Sequence, residues 1–269
     1  MAKVPDDWNL TKVGAQEAWK LLEPSGEPRD IIWNGVEVAH LDTGWTNHPV
    51  FGTRANTWVR IKDGLNYMEP GKTPESPVKK SAFSAGHGTR TLSVLCGDTK
   101  EDSRLKLKTR MGIAPGLPVI PYRVTDTVVL LKGEPRKNIA LAIRDAIHLK
   151  GVDIITMSLG FPTLVFPFVW HRHMGKAVDE AYEKGVIIIG AGGQPADRVS
   201  YPGKFWRTIG VGGVRAMEKY IKPMTSRILM QVSLMCGGRR MRSPAAMPCV
   251  RRGGKSTRRA GPMWMQINR

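Results

Sequence analysis

Five short stretches put reactive or small residues where a chain could do chemistry: Asp42-Thr43-Gly44, Gly86-His87-Gly88-Thr89, Ser158-Leu159-Gly160, Ala191-Gly192-Gly193 and Tyr201-Pro202-Gly203. Together they offer a carboxylate, an imidazole, a hydroxyl and the amides of glycine-rich turns, which are the parts of acid–base and nucleophilic chemistry. Each also has a plain reading. An Asp before Thr-Gly at a strand end forms a turn with its own backbone, and a His between glycines can cap a helix. Metal chemistry is a poor fit. His171-Arg172-His173 lacks the carboxylate and third ligand of a zinc site. Cys96, Cys236 and Cys249 show no Cys-x-x-Cys spacing, and their odd number gives no disulfide framework. His40, His48 and His148, like His171 and His173, have no partner at diagnostic spacing and read as surface or satisfied core residues.

The elements that must position these residues follow from apolar periodicity and its punctuation. Residues 35–44 alternate, then run apolar, and stop at a glycine, which predicts a strand with Asp42 at its end. Residues 52–83, rich in Gly, Pro, Lys and Ser, predict surface connection. A helix is predicted from near His87, a buried strand over 117–124, and a helix over 138–149 with Asn138 as its N-cap. Gly151 ends that helix, and 152–157 forms a strand entering Ser158. A further helix around 177–182 stops at Gly185, and the apolar strand 186–189 runs into Gly190-Ala191-Gly192-Gly193. Strands alternating with helices imply an α/β fold of three layers, a mostly parallel sheet with helices on both faces. Ligands in such sheets bind beyond the carboxyl ends of the strands, where Asp42, Ser158 and Gly192-Gly193 fall.

In this order and on these elements, the five stretches resemble the subtilisin-like serine peptidases. The resemblance covers residues 8–227. Trp8-Asn9-Leu10, Gly14-Ala15 and Ala18-Trp19 are similar to that family's N-terminal lead-in, and Gly112-Ile113-Ala114-Pro115 to its entry into the next core strand. The resemblance implies catalysis by Asp42 and His87, with His87 as general base for a serine hydroxyl and Asp42 as its orienting partner. It also implies that the backbone of Ser158, Leu159 and Gly160 pairs with an extended polypeptide substrate. Calcium sites are frequent in the family, but no ligand set is assignable, and no other cofactor is expected.

Two features depart from the family pattern. The Asn that stabilises the oxyanion follows Ala-Gly, and here that position is Gly193, followed by Gln194, whose amide would have to reach back as a substitute donor. The nucleophile belongs to a Gly-Thr-Ser-x-Ala segment opening a long helix, and Gly-Thr-Ser does not occur in these 269 residues. Ser226, Ser233, Ser243 and Ser256 lack the Gly-Thr before them. Gly254-Lys255-Ser256-Thr257 lacks the glycine five residues earlier that a phosphate loop needs, since Cys249 stands there. The fold is therefore expected to be incomplete at its C-terminal end.

Charge separates the same two parts. The net charge is +18, with 41 Lys and Arg against 23 Asp and Glu. From Lys219 onward there are 12 Lys and Arg and no acid, and 7 of the 13 Met. The expected organisation is a peptidase-like domain over 1–227 and a basic tail over 228–269, either disordered or the product of a reading-frame change near Ile228. Permitted codons for 228–238, read one base earlier, can encode Pro-Asp-Ala-Ser-Val-Ala-Asp-Val-Trp-Gly, similar to a family strand.

Three function classes follow. One is a serine-type endopeptidase by resemblance, whose chain as written lacks the nucleophile. Another is a catalytically dead fold that binds peptides, and the third, weakest, is nucleic-acid binding through the tail. No stretch approaches the roughly 18 apolar residues of a membrane span, and Asp6 and Asp7 stand where a signal peptide would be apolar. A monomer in the cytoplasm is the expectation.

Overall fold

The computed structural model describes residues 7–33, 35–53, 56–76, 84, 86–102, 107–130, 133–161, 172–193, 199–215, 222–223 and 231–232. In chain order the elements are α1 (Trp8–Lys12), α2 (Ala15–Leu22), β1 (Val38–Asp42), α3 (His87–Cys96), β2 (Thr99–Asp102), β3 (Leu107–Arg110), β4 (Val119–Arg123), α4 (Glu134–His148), β5 (Ile154–Met157), α5 (Arg172–Glu183), β6 (Ile187–Ala191) and β7 (Ile209–Val211). Three two-residue strands follow, β8 (Val214–Arg215), β9 (Lys222–Pro223) and β10 (Gln231–Val232). The main sheet runs β10-β7-β6-β5-β1-β4. The five strands from β7 to β4 are parallel, and β10 pairs antiparallel with β7.

Residues 38–42 give neither face to water, and all five residues of β1 are buried. Alternation divides them between two layers. Ala39 and Leu41 join the cluster of Ile139, Ile143 and Ala146 from α4 and Ala177 and Val178 from α5. Val38 joins Leu92 and Cys96 of α3 in the other. Helices thus cover both faces of the sheet, the three-layer α/β architecture read from the sequence. A third cluster ties in the lead-in, where Leu10, Ala15 and Trp19 meet Ile31. The Trp19 indole N–H donates to the Ile113 carbonyl (2.8 Å).

Several expectations need correction. α4 begins at Glu134, so Asn138 is not its N-cap: Pro135, suited to a first turn, starts the helix earlier. Asn138 is buried instead and its amide donates to the Val124 carbonyl (3.3 Å). Within 52–83, the described residues are more than surface connection. Arg60 N–H reaches Val119 O (2.8 Å), Arg123 N–H reaches Leu65 O (3.0 Å), and Tyr67 N–H reaches Arg123 O (2.9 Å). This segment covers the outer side of β4, whose edge groups would otherwise lie unpaired. That edge position also tolerates Pro121 inside the strand. The hairpin of β2 and β3 has no counterpart in the sequence reading. Beyond residue 227, β10 belongs to the sheet, and the other residues of 228–269 lie outside the described ones. No helix among the described residues is long and apolar enough to cross a membrane.

Candidate active site

Asp42 ends β1 and is fully buried. Such a carboxylate needs several donors to replace water. Oδ1 accepts the Thr43 backbone N–H (2.6 Å) and lies 2.8 Å from His87 Nδ1. Since a carboxylate only accepts, that imidazole nitrogen carries the proton, which leaves Nε2 the basic one. His87 opens α3 and its side chain is one-fifth exposed.

The two residues are 45 positions apart in sequence, and glycines bring them together. Gly86 takes the left-handed conformation just before the helix (φ 64°), which suits glycine. A Cβ on Gly88 would stand 2.1 Å from the Gly44 carbonyl oxygen and 3.2 Å from Asp42 Oδ1, so only glycine lets α3 approach the end of β1. Two hydroxyls lock the crossing. Thr43 Oγ1 accepts the Gly88 N–H and Thr89 Oγ1 accepts the Thr46 N–H, each at 3.0 Å.

A second pair lies behind Asp42: His40, a satisfied core residue that does have a partner, and Thr91, which the sequence did not single out. Thr91 Oγ1 lies 3.3 Å from Asp42 Oδ2 and 3.0 Å from His40 Nε2. Burial pushes the His40 imidazole below its ordinary pKa, against the opposing pull of Asp42. Spacing could have found both residues: His40 is two positions before Asp42 on one strand face, and Thr91 is four after His87 on one helix face.

The other predicted residues reach the same end of the sheet, since Ser158 follows β5 and Gly192 follows β6. Their surroundings differ from the expectation. Gly160 N–H donates to Val128 O and Gly160 O accepts from Leu130 N–H, both at 2.9 Å. A peptide strand paired at Gly160 would have to displace residues 128–130. Leu159 is buried in the core, and Ser158 is partly exposed. Gly193 has φ 87°, and a Cβ there would lie 2.3 Å from Ser200 Oγ, so an Asn side chain does not fit this backbone. Gln194 and the serines 226, 233, 243 and 256 lie outside the described residues. Among the described residues no group of three or more His, Cys, Asp or Glu is placed to hold a metal ion.

Residues 34–250 match the Subtilase family of peptidases. The chain belongs to the subtilase family. This match extends beyond residue 227. Among similar subtilases are Subtilisin BL of Lederbergia lenta, 25% identical over 209 residues covering 76% of this chain and 62% of that protein, and Thermitase of Thermoactinomyces vulgaris, 22% identical over 204 residues covering 74% and 59%. The first curated relatives are spanned over only 48% to 62% of their length. The fold is also that of fervidolysin from Fervidobacterium pennivorans, with TM-score 0.55 and 18% identity over 78% of this chain and 29% of that one.

Proposed function

We propose that this subtilase chain carries the acid–base half of a serine-type endopeptidase site, acting on polypeptides, with His87 as general base and Asp42 as its orienting partner. The observation that carries the reading is the 2.8 Å His87 Nδ1 to Asp42 Oδ1 contact at the carboxyl end of β1. An imidazole so held presents Nε2 for the proton of an attacking hydroxyl, and the carboxylate stabilises the cation that forms. Relatives named as proteases support the substrate class. Gly-Thr-Ser does not occur in the 269 residues, so the chain by itself is proposed to turn over peptides slowly or not at all. Loss of a triad serine costs about 10⁶ in turnover, a figure the subtilisins themselves supply.

The test is labelling with a serine-directed fluorophosphonate, run on the 269-residue chain and on a form extended in the neighbouring reading frame of its gene. The expected result is no labelling of the first and labelling of the second that His87→Ala abolishes. Labelling that His87→Ala leaves intact would refute the reading. An unlabelled extended form that still binds extended peptides would favour a peptide-binding module instead.

A further inference from the structure

We infer that Thr91 and His40 are positioning residues for Asp42, forming a buried hydroxyl–imidazole prop on the carboxylate oxygen that His87 does not use. The inference rests on the acid–base reading of Asp42 and His87.

The four side chains form a closed set. Asp42 Oδ1 serves His87 Nδ1 (2.8 Å), while Oδ2 faces Thr91 Oγ1 (3.3 Å) and lies 3.9 Å from His40 Nε2. Thr91 has one hydroxyl proton and four neighbours for it: Asp42 Oδ2, His40 Nε2 (3.0 Å), the His87 carbonyl (3.2 Å) and the Gly88 carbonyl (3.1 Å). His40 decides among them. If its Nε2 carries a proton, it donates to Thr91 Oγ1, and the hydroxyl proton is left for an oxygen. The ionised carboxylate is the strongest acceptor of the three. If Nε2 were bare, it would take the hydroxyl proton and Oδ2 would lose its donor. Burial favours the uncharged imidazole, and an uncharged prop does not compete with His87 for Asp42. With Oδ2 held, the carboxylate plane cannot rotate about its Cβ–Cγ bond, and Oδ1 stays aligned on His87. The strand and helix supply the geometry, because His40 and Asp42 share a face of β1 while His87 and Thr91 share a face of α3.

The experiment follows the His87 Nδ1–H proton by NMR in the full 269-residue chain, assigned by its disappearance in His87→Ala. Thr91→Val is expected to shift that signal and speed its exchange with water about tenfold to a hundredfold, as befits loss of a hydrogen bond to a charged group. Thr91→Ser should restore both, and His40→Leu should resemble Thr91→Val. Melting curves of each variant separate this from loss of fold, and if Thr91→Val does not fold, Thr91→Ala against Thr91→Ser gives the same comparison. A signal unmoved in folded Thr91→Val or Thr91→Ala, or unrestored by Ser, overturns the inference and leaves the acid–base reading standing. A His87 signal missing from the unmodified chain overturns that reading, and the inference with it.

Discussion

Leu41 and Asp42 are adjacent in β1 and equally buried, yet they meet opposite surroundings. Leu41 enters the apolar layer under α4 and α5. Asp42 faces α3 and is surrounded by donors: Thr43 N–H, His87 Nδ1–H and the Thr91 hydroxyl. One face of the strand gains stability simply by leaving water, in proportion to area. The other must replace water group by group, because a buried carboxylate short of donors is costly. Burial alone does not separate core from site; the count of polar partners does.

Substitutions on each face should act separately. The largest effect on stability is expected on the apolar face, where Leu41→Ala should cost about 2–5 kcal/mol in denaturant unfolding. The His87 Nδ1–H signal should survive it wherever the protein remains folded. A change in that signal comparable to the one in Thr91→Val would mean that the two faces are not separable.

Gly88→Ala acts on the other face. Its Cβ would strike the Gly44 carbonyl, and overpacking of this kind costs about 1–3 kcal/mol. The expected signature is modest destabilisation with a weakened His87–Asp42 contact, read by the same NMR signal. An intact signal would show that the backbone yields more than the geometry suggests.

The apolar face also carries polar contacts, among them that of Tyr122 with Asp145. The Tyr122 hydroxyl donates to Asp145 at 2.5 Å under α4, and burial, then this hydrogen bond, push the phenol well above its usual range. Tyr122→Phe should lower stability by about 1–3 kcal/mol, the cost of leaving a buried acceptor without its donor. Calorimetry would measure it, and labelling of an active extended form should not change.

The smallest expected effect is that of pH on His40. Its folded pKa lies below the ordinary 6.5, so the unfolded chain takes up a proton that the folded chain refuses. The contribution is fully present above about pH 6.5 and is lost as pH falls from there toward the folded value. Urea midpoints should therefore drop between pH 7 and 5 more in the unmodified protein than in His40→Leu, and equal drops would dismiss the contribution.

Much of this was legible in the residues. The strands leading to Asp42, Ser158 and Gly192 could be read because parallel strands buried on both faces are largely apolar runs bounded by glycine. The pairing of His87 with Asp42 came from the order of the motifs, since nothing local links residues so far apart. His40 was read only as a surface or satisfied core residue, because its spacing from Asp42 places it on the same strand face without revealing the Thr91 hydroxyl that links the two. Asn138 was misplaced because capping preference and an interior hydrogen bond to Val124 draw on the same side-chain chemistry. The edge cover by residues 56–67 escaped notice because its bonds run through the backbone, which composition does not report.

The position of β1 has a consequence for synthesis. Both of its neighbours, β4 and β5, come later in the chain, so β1 leaves the ribosome with neither edge partnered. Chains are made N-terminus first, and the strand bearing Asp42 cannot be enclosed until translation has passed Met157. Until then its five apolar or ionisable side chains are exposed to whatever else in the cell binds unfolded segments, and the growing chain is most vulnerable over that interval of about 115 residues, roughly 6 to 23 seconds at ordinary elongation rates.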